Sequence, residues 1–123
     1  MQSYRDLFVW QKAMDLVIAI YRVTATFPKT EMYALANQMQ RSAVSIPSNI
    51  AEGYGLKQTK AYLRHLSLAS GSLSELETQL EISDRLSYLP VGGKDLIMQA
   101  NEVGKMLSGL RQSLRKHLND PRS

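Results

Sequence analysis

Two groups of cations hold the most usable chemistry in this sequence: Lys57, Lys60 and Arg64 in one, Arg111, Arg115 and Lys116 in the other. Ammonium and guanidinium groups brought together hold phosphates. Several such contacts made at once give binding that weakens steeply with salt. No motif for reading base edges accompanies them, so RNA or DNA is expected to be bound with weak sequence specificity. Cations near the end of a helix also suit the negative pole of its dipole, which is the plainer account of the second group.

Other chemistries find little support. His65 and His117 are the only histidines, and neither has a histidine or carboxylate four residues further on, so no metal site is expected. Glu75, Glu77, Glu81 and Asp84 make an acidic patch without the Glu-x-x-His pairs of a di-iron bundle. Ser42, Ser45 and Ser48 have no histidine nearby in sequence and no strand-turn-helix setting for a nucleophile. Gly92 and Gly93 precede Lys94 but lack the spacing of a phosphate-binding loop, and read as a turn between helices. The expectation is a protein with no catalytic activity and no cofactor. Cysteine is absent, which removes disulfides and thiolate chemistry.

A second candidate surface is a stripe of mostly small polar residues, Gln38, Ser42, Ser45, Asn49 and Glu52, beside an apolar stripe on the same stretch of chain. It reads either as a face that lets a neighbouring helix approach closely or as an assembly interface with another subunit. Pro47 interrupts the stretch. A proline inside a helix removes a donor and crowds the preceding turn, at a cost of about 3 kcal/mol in isolation. Hydroxyls of Ser42 and Ser45 bonding back to carbonyls of the preceding turn are expected to offset it.

These residues need helices to position them. Four segments carry apolar residues at alternating steps of three and four, the seam of packed helices. The first runs Val9, Ala13, Leu16, Ile20, Val23 and Phe27, and ends at Pro28. The second runs Met32, Leu35, Met39, Ala43, Ile46 and Ile50, with Thr30 as its expected N-cap and Gly53 and Gly55 at its end. The third continues from Thr59 through Tyr62, Leu66, Ala69, Leu73, Leu76 and Leu80 toward Leu86. The fourth runs Leu96, Ala100, Val103, Leu107, Leu110, Leu114 and Leu118. Short connections force sequential helices to run antiparallel, which gives an all-α, up-down-up-down four-helix bundle. In that topology the start of the third helix and the end of the fourth meet at one pole, and the two basic groups with them. Trp10 and Tyr4 read as core residues or as anchors for a partner.

Composition agrees with a single domain over residues 1–123: 44% of residues are hydrophobic and 21% charged, ordinary for a folded soluble protein. No stretch reads as a membrane span or signal peptide, so a cytoplasmic protein without membrane contact is expected. The net charge of +4 is unevenly placed. Residues 1–104 balance, whereas Lys105, Arg111, Arg115, Lys116 and Arg122 face Asp120 alone at the C-terminus.

One combination of motifs is specific. It comprises Leu7, Val9 and Trp10–Ala13 (WQKA), Phe27 and Pro28, Tyr33, Leu35 and Gln38, Arg41–Gly53 (RSAVSIPSNIAEG) and the Ala69–Leu76 run ASGSLSEL. Over residues 4–118 this resembles the four-helix bundle proteins encoded in intervening sequences of 23S ribosomal RNA genes. That family is similar to the accessory variability determinant of diversity-generating retroelements. The resemblance implies a ring-shaped homopentamer, nucleic acid held on basic surface, and a reverse transcriptase as a possible protein partner. A scaffold or adaptor that assembles but binds no nucleic acid is the competing expectation.

Overall fold

Each of the four apolar stripes becomes one helix in the computed structural model, which describes residues 3–119. Helix α1 spans Phe8–Thr24, α2 Leu35–Gly55, α3 Thr59–Arg85 and α4 Gly93–Asn119. Tight single turns at Tyr4–Asp6 and Lys29–Glu31 precede α1 and α2, and no strand occurs among the described residues.

The core is built where the stripes predict it. Ala13, Leu16 and Ile20 of α1 meet Met39, Ala43, Ile46 and Ile50 of α2; Leu66, Ala69, Leu73, Leu76 and Leu80 of α3 and Ala100, Val103 and Leu107 of α4 close the interior. Burying these side chains removes apolar surface from water at about 25 cal/mol per Å², the main drive for the bundle. The stripe of α4 leaves the core at its far end: Leu110 and Leu114 are half-buried and Leu118 is exposed. With 17 residues against 27, α1 is about 15 Å shorter than α4, and the last turns of α4 have no α1 to pack on.

Specific pairs fix the direction of every helix. The Gln40 amide donates to the Thr24 hydroxyl (3.0 Å), while Trp10 and Met14 share a groove with Pro47 and Ala51, so α2 runs back along α1. Ser83 reaches Met39 at one end of the α2–α3 pair and His65 reaches Asn49 at the other. Arg111 bonds Ser67 and Ser70, and Gly104 packs on Leu73, so α4 is antiparallel to α3. The start of α4 lies beside the end of α1, around Arg22, Val23 and Leu96. The topology is up-down-up-down, each helix beside its neighbours in sequence and α4 beside α1.

Two local expectations are corrected. Helix α2 begins at Leu35, not after a Thr30 cap, and Ala34 caps it without a side-chain bond. The carbonyls of Pro28 and Lys29 accept from Glu31 and Met32 at 2.9 and 3.2 Å, a tighter winding that leaves Met32 exposed rather than in the core. Pro47 does not break α2, but the back-bonding residues are not Ser42 and Ser45. The Ser48 hydroxyl donates to the Val44 carbonyl (2.7 Å) and the Asn49 amide to that of Ser45 (2.9 Å). The Pro47 ring is buried, facing a groove it shares with Tyr4, Trp10 and Val17. Tyr4 and Trp10 meet edge to face at 5.3 Å and pack on the core.

Candidate nucleic-acid interface

Antiparallel packing brings the starts of α1 and α3 and the ends of α2 and α4 to one pole. Dividing the described chain at the helix midpoints places Arg5, Lys12, Lys57, Lys60, Arg64, Arg111, Arg115 and Lys116 in this half, against Asp6, Asp15 and Glu52. The other half holds Arg22, Lys29, Arg41, Arg85, Lys94 and Lys105 against seven acidic residues. The charge excess is therefore a property of one end of the bundle and is not confined to the C-terminal residues. Arg122 and Asp120 lie outside the described residues.

Arg111 is the most constrained of these cations. Its two terminal nitrogens donate to the Ser70 and Ser67 hydroxyls, each at 3.2 Å, so α3 supplies the acceptors that aim an α4 guanidinium. Its Nε is shielded from solvent without a partner. Neutral hydroxyls orient the group while leaving its charge uncancelled. A polar groove between the two helices continues from it past Ser74, Ser108 and Lys105. One turn closer to the pole stand Arg64 on α3 and Arg115 on α4. Lys57, Lys60, Arg64, Arg115 and Lys116 are exposed and form no ion pair among the described residues.

Lys57 has an unusual backbone. Its φ of 57° lies in the left-handed region, where an L side chain costs about 1–2 kcal/mol. The residue ends α2 by turning the chain into α3, with its N–H donating to the Tyr54 carbonyl (3.3 Å).

Three residues of the polar stripe of α2, Ser42, Ser45 and Asn49, are engaged by α3 of the same chain, the close helix approach that the stripe allowed. Buried Ser42 donates to Glu75 (2.9 Å), Ser45 and Ser72 exchange a hydroxyl bond (2.8 Å), and His65 Nδ1 meets Asn49 Oδ1 (3.1 Å). The Asn49 amide nitrogen is already committed to Ser45, so its oxygen accepts and His65 donates. Only Gln38 and Glu52 of the stripe remain exposed, the latter with a carboxylate 3.9 Å from the same histidine nitrogen. The small residues of ASGSLSEL on α3 are the mates of those on α2. That complementarity was present in the sequence as two matched runs of small residues.

Near the basic pole stands Tyr62, a member of the third apolar stripe. It is half-buried and stands edge to face with Tyr54, ring centres 6.0 Å apart. Its hydroxyl has no partner, and burial first, then the neighbouring Tyr54, pushes it up to about 12. Among the described residues no group of three or more His, Cys, Asp or Glu side chains comes together, and no helix is long and apolar enough to cross a membrane.

The comparisons with known proteins agree with this architecture. The family described as 23S rRNA-intervening sequence protein matches residues 5–109. The chain belongs to that family. A crystal structure of a protein of unknown function from the S23 ribosomal protein family of Bacteroides thetaiotaomicron superposes with a TM-score of 0.77. The two sequences are 21% identical, and the match covers 85% of this chain and 95% of that one, a likeness of fold. Among curated proteins there is no match. The span shared with the intervening-sequence family includes Lys57, Lys60 and Arg64 but stops before Arg111, Arg115 and Lys116.

Proposed function

We propose that this intervening-sequence protein is a non-catalytic accessory protein that holds the phosphate backbone of RNA or DNA at its basic pole. The observation that carries the reading is Arg111, a guanidinium held by two neutral hydroxyls and flanked by exposed, unpaired cations on both α3 and α4. Such an arrangement offers charge with little reorganisation, and it offers no converging acid, base or nucleophile. Contacts of this kind read backbone rather than sequence.

Self-association is the second part of the proposal, with the homopentamer implied by the family resemblance as its form. The polar stripe being occupied by α3, the face available to a second copy is apolar: Met14, Ile18 and Tyr21 on α1 and Val44 on α2 are 36–47% exposed. Repeating the basic pole around a ring multiplies its phosphate contacts and raises avidity. The same apolar face favours the alternative of an assembly scaffold, with a protein such as a reverse transcriptase as partner and no affinity for nucleic acid. The cytoplasm is the compartment proposed for either role.

The deciding experiment is a fluorescence titration of structured RNA and duplex DNA at two salt concentrations, with light scattering on the same samples. Binding that weakens steeply with salt supports the accessory role. An assembled protein without affinity at low salt leaves the scaffold, and a strict monomer removes the assembly from both.

A further inference from the structure

We infer that the corner between α2 and α3 is a base-stacking notch, so that the nucleic acid taken by the basic pole is unpaired. This rests on the reading of that pole as a phosphate-binding surface and adds to it the class of strand.

Tyr54, Lys57, Gln58, Thr59 and Tyr62 line one cleft of about 370 Å³ at this corner. The two tyrosine rings meet at 86°, so the edge of one abuts the face of the other, and neither can stack flat on its partner. Lys57 is held at the rim by its left-handed backbone. Among the described residues neither the Gln58 amide nor the Thr59 hydroxyl makes a side-chain hydrogen bond, so both are available to the polar edge of a base. The Tyr62 hydroxyl is also without a partner. That hydroxyl is shielded from solvent, so Tyr62 offers the notch its ring and not its oxygen.

Aromatic rings beside cations are the combination by which proteins hold single strands: the cations follow the phosphates and the rings take the faces of the bases. In a duplex those faces are covered by neighbouring pairs, and a base reaches such a notch only when it is already unpaired or is extruded. Cations alone would hold a duplex and a single strand alike. The notch is what separates them, and it sits at the start of α3 among Lys57, Lys60 and Arg64.

The test uses the full-length protein and a short single-stranded oligonucleotide carrying a fluorescent aminopurine, with a duplex of equal charge and an oligonucleotide abasic at the labelled position as comparators. Stacking is expected to quench the aminopurine on binding. The abasic strand and the Tyr54→Leu protein are each expected to bind about tenfold more weakly than the intact pair. Duplex binding and the salt dependence should be unchanged in Tyr54→Leu. The combined change of Lys60→Gln and Arg64→Gln should weaken single strand and duplex together. Equal affinity for intact and abasic strands overturns the notch even where Tyr54→Leu fails to fold, because that comparison uses the unaltered protein. Salt-dependent binding without quenching removes the notch and leaves the basic pole. No binding of either strand removes both.

Discussion

Gly53 lies directly beneath His65: a Cβ added to the glycine would stand 2.7 Å from the Cβ of the histidine and 3.1 Å from the Tyr62 ring. A Cβ is fixed to the backbone and cannot swing aside, so α2 and α3 would have to part. Gly53→Ala is expected to cost about 1–3 kcal/mol in urea unfolding. Gly55, two residues on in the same helix, has nothing within 4 Å of such an atom. Gly55→Ala is expected to be neutral or to stabilise by up to about 1 kcal/mol. Equal unfolding midpoints for the two variants would show that the helices are not held this closely.

Lys57 sets a conflict between stability and binding. Its left-handed φ of 57° strains an L residue and suits glycine. After allowing for the greater freedom of glycine in the unfolded chain, Lys57→Gly is expected to raise stability by about 0.5 kcal/mol. The same change removes one cation, so nucleic-acid affinity should fall and the slope against salt should drop by about one. Melting curves and titrations on one preparation should therefore move in opposite directions. A variant that gains stability and keeps its affinity would place the phosphate path away from this corner.

Tyr62 predicts an alkaline signature. Its folded-state value of about 12 stands above the ordinary 10, so the folded chain holds the phenolic proton more tightly than the unfolded chain does. The resulting stability is present in full below pH 10 and is lost as pH rises toward 12. Tyr62→Phe should shrink the fall in stability across that interval. Near neutral pH it should be close to neutral, because the lost hydroxyl had no partner. Tyr88, raised chiefly by its hydrogen bond to Glu31, acts in the same direction and leaves some alkaline dependence behind. Denaturant melts at several alkaline pH values measure the difference between the two proteins.

The bundle was legible because its signal is periodic: Leu16 and Ile20, Ile46 and Ile50, Leu73, Leu76 and Leu80 repeat at helical spacing, and all are buried. The convergence of Lys60 and Arg64 with Arg111 and Arg115 at one pole also followed from the short connections. What was not legible was the partner of each polar side chain. Ser45 reads the same in sequence whether it meets Ser72 of its own chain or a residue of another subunit, since periodicity fixes the face of a helix and not what covers it. The start of α2 was misplaced for a related reason. Thr30 is a good capping residue by type, but the turn wound by Pro28 and Lys29 delays the helix until Leu35. Tyr54 carries no signal of its own in the sequence, because an aromatic residue at a helix end becomes half of a cleft only when the chain folds back on it.

Arg111 tests whether placement or charge alone matters at the basic pole. Its guanidinium reaches Ser67 and Ser70 at once, 3.2 Å each, a two-pronged contact that a lysine ammonium at the same position cannot reproduce. Arg111→Lys keeps the charge and loses the placement, while the paired changes Ser67→Ala and Ser70→Ala keep the guanidinium and free it. Both proteins should remain folded, because each of these bonds, charged on one side but partly exposed, contributes about 1–2 kcal/mol, less together than the stability of an ordinary domain. If the serines prepare the cation for phosphate, both should lose several-fold in affinity at fixed salt, and Arg111→Gln should lose more. Affinity equal to that of the parent in Arg111→Lys would mean that the pole acts as a diffuse field, and that the bonds from Arg111 to Ser67 and Ser70 serve only to join α4 to α3.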